Sequence, residues 1–304
     1  MPSWNQILEE TQNCPRKDAI DYVRRKYLRE LFDVTNRNVI AYYSGWLNRP
    51  NLRNTSIGDD DKNGLMSTIY NLDKSKGLDL ILHTPGGDAA ATESIVDYLR
   101  KMFGTNIRAI IPQLAMSAGT MISCACKEII MGKHSSLGPI DPQFGGIPAQ
   151  GVIEEFNRAL REIKEDPDKK AVWQPIISKY HPTFIGECER VIEWSKEMTR
   201  NWLESGMFKE DKNSDKKISM IMSNLLEYSK TKSHARHIPI DECEKMGLKI
   251  LPLENLDKHN NLQDKILSIH HCFMITFSGT DAVKIVENHE GRALVTKEPR
   301  IVKK

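Results

Sequence analysis

Two short stretches hold residue types that could do chemistry together. "HTPGGDAA", residues 83–90, sets a proline and two glycines directly after the apolar run Leu78–Leu82. "QLAMSAGTMIS", residues 113–123, sets Ser117 between Met116 and Ala118, with the small residues Ala115 and Gly119 close by. Gly86 and Gly87 can adopt positive φ and present N–H groups with no Cβ in the way. A serine at a strand-to-helix corner exposes its hydroxyl at the carboxyl end of a parallel sheet, where open α/β sheets bind ligands. The helix behind it aims unpaired N–H groups and a partial positive charge at whatever the serine attacks, the Ala118 N–H among them. The chemistry such a pair suits is acyl transfer. Negative charge builds on a carbonyl oxygen there, and each fixed N–H donor lowers the barrier by about 3 kcal/mol.

Each stretch also has a plain reading. The glycines make a turn, and Ser117 caps a helix. Ala115 replaces the first glycine of the G-x-S-x-G nucleophile elbow. The order of the surrounding elements favours the functional reading, because it sets the two loops side by side. Strand 38–46, helix 64–72, strand 78–84, helix 89–103, strand 107–113, helix 117–127 and strand 128–132 alternate, and their strands are apolar on both faces. That pattern predicts a parallel sheet covered by helices. An amphipathic helix over 15–33 precedes it.

After residue 145 the texture changes. Helical patterns run over 148–168 and 184–208, the second with Cys188, Val191, Met198 and Trp202 in one stripe, which we expect at a subunit interface. The charged run 209–217 reads as a solvated loop, 238–250 as a helix leading into a strand, and the tail from 260 as one more helix, a turn and a basic end. These shifts suggest a helical segment 1–35, a main domain 36–250 with a helical extension at about 146–230, and a C-terminal extension 251–304 with no assignable role.

Composition excludes some partners. The 304 residues carry a net charge of +2, so no global field points to nucleic acid or acidic lipid. No apolar stretch reaches the roughly 20 residues of a membrane span. The six cysteines form no C-x-x-C pair and read as free thiols of a cytoplasmic protein with no metal site and no cofactor.

The stretches "ILHTPGGDAAATESIVDYLR", "IIPQLAMSAGTMISCACKEIIMGKHSSLGPIDPQFGG" and "HIPIDECEKMGLKI" resemble the Clp protease/crotonase superfamily, in particular its serine dehydrogenase proteinase branch, related to signal peptide peptidase A. The resemblance covers nearly all of residues 20–250. It implies an α/β core of stacked βαβ turns with a C-terminal helical extension that often builds homo-oligomers. It also implies Ser117 as nucleophile, Gly87 and Ala118 as oxyanion-hole donors, and Gly86 as the residue that shapes the loop.

The serine needs a proton acceptor. Where Clp proteases carry the histidine, "LGPIDPQFGG" offers Asp141, a weak base toward a hydroxyl and more suited to bracing its turn. Where signal peptide peptidase A carries its lysine, "IISKYHPTFIGE" offers Lys179 and His181. A lysine serves only if apolar neighbours strip water from its ammonium, and Ile176, Ile177, Tyr180 and Phe184 could do so. An imidazole titrates near neutrality unaided. Lys133, His134, His234 and His237 are further candidates. The expected function is a serine peptidase acting on peptides or unfolded segments. It is ATP-independent, since the chain has no G-x-x-x-x-G-K-[ST], so any unfoldase is a separate protein. The alternatives are an inactive scaffold of the same fold and a crotonase-type acyl-CoA enzyme.

Overall fold

The computed structural model describes residues 2–48, 52–256 and 261–298. The strands in chain order are β1 Asn38–Ser44, β2 Leu78–His83, β3 Ile107–Ile111, β4 Leu114–Ala115, β5 Glu128–Met131 and β6 Ser136–Leu137. They continue with β7 Gln143–Phe144, β8 Ile147–Pro148, β9 Ile238–Pro239, β10 Ile250–Pro252, β11 Ala282–Asn288 and β12 Ala293–Lys297. The helices are α1 Trp4–Asn13, α2 Ala19–Thr35, α3 Asp61–Ile69, α4 Ala89–Phe103, α5 Ala118–Cys124, α6 Ala149–Glu165 and α7 Lys170–Ile177. After them come α8 Phe184–Trp202, α9 Ser214–Leu226, α10 Tyr228–Thr231, α11 Ile240–Lys245, α12 Leu253–Leu256 and α13 Leu262–Gly279.

The fold is mixed α/β around a mostly parallel sheet. Its seven strands lie in the order β10-β5-β3-β2-β1-β11-β12. β1, β2, β3, β5 and β10 are mutually parallel and follow one another across the sheet. All residues of β1 and β2 are buried, as two covered faces require. One face packs α4, α5, α8 and α9 through Val96, Met121, Met198 and Ile221, and the other packs α2 and α13 through Leu28 and Phe273. Local chemistry sets the element ends. Asp88 caps α4 by accepting the Ala91 N–H at 2.8 Å, and Gly104 closes it at φ +60°.

The tail does structural work that its sequence does not announce. α13 covers the second face beside α2, and β11 pairs antiparallel with β1. Glu287 of β11 lies fully buried between Arg24, at 2.5 Å, and Arg25, at 2.7 Å, which locks α2 to the sheet. On the opposite side Lys284 meets Asp61 of α3 at 2.7 Å. The basic end of the tail, 299–304, lies outside the described residues.

The stripe on 184–208 is in part a correction. Met198, Trp202 and Phe208 are buried in the chain's own core, so that part of the stripe is already covered, while Val191, Ile192 and Trp194 are half-buried.

Candidate functional site

β4 and β6 pair in parallel, Leu114 with Ser136 and Ala115 with Leu137. β9 joins β6 antiparallel, Leu137 with Ile238. The chain leaves β4 toward Ser117, leaves β6 toward Asp141, and enters β9 from His234. Parallel and antiparallel senses therefore bring all three residues to one end of this small sheet.

Ser117 stands at the mouth of α5 with φ 49° and ψ −113°, a left-handed backbone that costs a non-glycine about 1–3 kcal/mol. Small neighbours permit it: a Cβ on Gly119 would lie 2.6 Å from Thr84 Cγ2. Thr120 braces the corner. Its hydroxyl lies 2.9 Å from the Ala115 carbonyl and 2.8 Å from the Gly138 carbonyl, and accepts the Gly138 N–H at 3.0 Å. That ties α5 to β4 and to the residue that follows β6.

The glycine loop meets this corner. Thr84 bridges to Ala115, donating its N–H to the Leu114 carbonyl and accepting from the Met116 N–H. Gly86 has φ +99°, and a Cβ there would sit 2.6 Å from Ser117 Cβ and 3.0 Å from the Ala118 nitrogen. A side chain on Gly87 would strike the Ile57 backbone at 2.3 Å. Ile57 donates to Gly86 O and accepts from Asp88 N. In a parallel bridge this turns the Gly87 N–H away from Ile57. The glycines are thus required by close approach on both sides, and the two loops converge.

The structure adds a contact that sequence reasoning left apart. His234 Nδ1 lies 3.0 Å from Asp141 Oδ1. Asp141 is only 1% exposed, and its other oxygen has no partner among the described residues. A carboxylate only accepts, so Nδ1 carries the hydrogen of this contact, and in the neutral ring the lone pair then falls on Nε2. His234 also lines a groove of about 590 Å³ with His237, Trp46, Leu47, Leu114 and Met116. Met116 and Pro85, the neighbours of Ser117 and Gly86, are part of that lining.

The other nominees lie elsewhere. Lys179 and His181 are exposed on the turn between α7 and α8. Tyr180 and Phe184, two of the four apolar residues expected around Lys179, pack instead into a cluster with Phe156, Val152 and Cys188. Lys133 and His134 follow β5, where the Lys133 N–H donates to Glu254 at 2.9 Å. His237 shares the groove with His234. The only sequence hint of the histidine–aspartate pair was the place of His234 just before "HIPI".

A strained serine at a strand-to-helix corner, a glycine loop pressed on it and a half-exposed histidine against a buried aspartate lie at the same sheet end of a mixed α/β protein. The sequence model of the ClpP-like SDH-type serine proteinases matches residues 13–251, and the chain belongs to that family. That membership suggests a serine peptidase. The chain is also similar to two uncharacterized proteins of Methanocaldococcus jannaschii. MJ0137 is 34% identical over 152 residues, which cover 48% of this chain and 52% of that one. MJ1495 is 36% identical over 121 residues, covering 38% of this chain and 41% of that one. The chain thus spans about half the length of the curated relatives it matches. No helix among the described residues is long and apolar enough to cross a membrane.

Proposed function

We propose that the chain is an ATP-independent serine peptidase that cleaves peptides or unfolded segments, with Ser117, His234 and Asp141 as its triad. His234 Nε2 takes the Ser117 proton as Oγ attacks the scissile carbonyl. Asp141 holds the ring in the tautomer that makes this possible and stabilises the imidazolium that forms. The Gly87 and Ala118 N–H groups receive the developing oxyanion, and Gly86 shapes their loop. The imidazolium then protonates the leaving amine, and water releases the acyl group by the reverse relay.

The observation that carries this reading is the 3.0 Å His234–Asp141 contact, made by the segments that leave β6 and enter β9 at the sheet end where β4 leads to Ser117. It offers a candidate base where the lack of a histidine in the segment after β6 had favoured an inactive scaffold. It also moves the nomination away from Lys179 and His181. The apolar groove lined by Trp46, Leu47, Leu114 and Met116 suits an extended peptide with bulky side chains. The large sheet and the small one, built by the same βαβ run, support stacked turns of the Clp/crotonase kind. The six free cysteines, five of them buried, suit a reducing cytoplasm.

Labelling with a fluorophosphonate, located by mass spectrometry, tests the proposal. Ser117 should carry the label. His234→Ala should slow labelling about 10³-fold or more and Asp141→Asn about 10²- to 10⁴-fold. Labelling of His234→Ala at the wild-type rate would remove His234, and an inert wild-type chain would return the scaffold reading.

A further inference from the structure

β12 is the outermost strand of the large sheet. Two bonds show which of its groups point outward. The Asn288 N–H donates to Arg292 O at 3.0 Å, and the Glu298 N–H donates to Asp281 O at 3.0 Å. In an antiparallel strand, a residue's N–H and C=O point to the same side and successive residues alternate. Arg292, Leu294, Thr296 and Glu298 therefore face β11, while Ala293, Val295 and Lys297 turn their N–H and C=O away from it. The register shift in this pair lies on β11, between Ala282 and Lys284, so β12 itself is regular.

The middle of this edge lacks the usual protections, and Lys297 is the one charge on the strand itself. Between Ala293 and Thr296 there is no charge and no proline. Leu294 is 40% and Val295 37% exposed, and they point to opposite faces of the sheet. Beside them α3 presents Met66, 51% exposed, and the residue that ends it, Tyr70, is 66% exposed. The Arg292 guanidinium sits 5.5 Å from the Tyr70 ring centre, which places the end of α3 beside the start of the strand.

We propose that β12 pairs antiparallel with β12 of a second copy, about a two-fold axis through Val295, joining two sheets into one. Val295 then faces its own counterpart, Ala293 faces Lys297, and Leu294 faces Thr296. Every outward N–H of this stretch meets an outward C=O. The same register sets Arg292 directly opposite Glu298, twice across the axis. Opposite charges directly opposed favour pairing, and a register shifted by two residues loses both pairs. A foreign strand would satisfy the backbone equally. The reciprocal Arg292–Glu298 match is what selects a second copy. Within one chain Arg292 reaches Glu290 at 3.5 Å and the Tyr70 carbonyl, and Glu298 accepts the Arg53 N–H at 3.0 Å. Both charged heads thus lie near the strand ends, where the partner's would arrive.

Sedimentation of the full chain at micromolar concentration tests this. The wild type should sediment as a dimer or as an assembly built from dimers. Val295→Pro removes an outward N–H that β11 does not use, and proline is tolerated on an edge strand. It should raise the dissociation constant of that contact at least about tenfold. Arg292→Glu should also weaken association, and Arg292→Glu/Glu298→Arg should restore it. Simple loss of the Tyr70 contact would not be rescued in this way, so the charge pair keeps the test decisive even if Val295→Pro misfolds. A monomeric wild type, association unchanged in Val295→Pro, or a double variant no better than Arg292→Glu would overturn the proposal.

Discussion

The corner that holds Ser117 and the helical arm α6–α8 are both where the sequence looked for catalytic groups, and they are built differently. At the corner each backbone is tied to another: Thr120 links α5 to β4 and to the residue that follows β6, Thr84 bridges to Ala115, and Ile57 clasps the Gly86–Asp88 loop. Along the arm, α6 and the first half of α8 pack on each other through Val152, Cys188 and Phe184, while Leu160 and Val172 stand 69% and 63% exposed. Acyl-transfer groups must be held to a few tenths of an ångström. The corner can hold them so, whereas an exposed lysine on the arm is free to move through many rotamers.

Changing the glycines should break the corner most severely. Gly86→Ala places a Cβ against Ser117 at a backbone angle that alanine rarely adopts, and Gly87→Ala drives the loop into Ile57. Each should cut fluorophosphonate labelling of Ser117 about 100-fold or more, through loss of aligned donors. Labelling within a few-fold of wild type would mean that the loop takes no part.

Thr120→Val should have a smaller effect. It leaves the buried N–H and C=O of Gly138 without their partner, at a cost of about 1–3 kcal/mol in urea unfolding. An unchanged midpoint would show that the brace is dispensable.

A buried imidazole layer under the glycine loop sharpens the comparison through pH. Burial holds His83 well below the ordinary histidine range, with the neighbouring His270 adding to the effect. Burial, then His271 and His134, bring His270 down to about 3. In the unfolded chain both titrate near 6.5. Their contribution to stability is complete above about pH 6.5 and is lost as pH falls from there toward the folded values, because the unfolded chain takes up protons that the folded one refuses. The urea midpoint should therefore fall between pH 7 and 5. Neither His83 nitrogen has a partner among the described residues, so His83→Leu should make that fall shallower. An equally steep fall in the variant would exclude His83 as a source.

The arm should respond least. Lys179→Ala and His181→Ala should leave Ser117 labelling within about twofold of wild type, as exposed substitutions usually do. A tenfold loss in either would restore the arm as the home of the base.

Much of this protein was legible where the governing interactions are local. Helix 89–103 could be read to the residue because Asp88 caps it and Gly104 ends it. The parallel core could be read because strands covered on both faces are apolar throughout. The serine corner could be read because it joins a strand, a small-residue turn and a helix within eleven positions of chain, 113–123. The histidine–aspartate pair could not, since its members stand 93 positions apart and meet only through the antiparallel docking of β9 on β6. The tail was opaque for a related reason. β11 and β12 form a local hairpin, but pairing β11 with β1 joins residues nearly the whole chain apart. Local chemistry thus determined the strand-to-helix corner at Ser117 and the glycine loop that meets it. Only the tertiary structure decided which imidazole faces a buried carboxylate at the serine's end of the sheet, because strand register sets that distance and no short stretch encodes it.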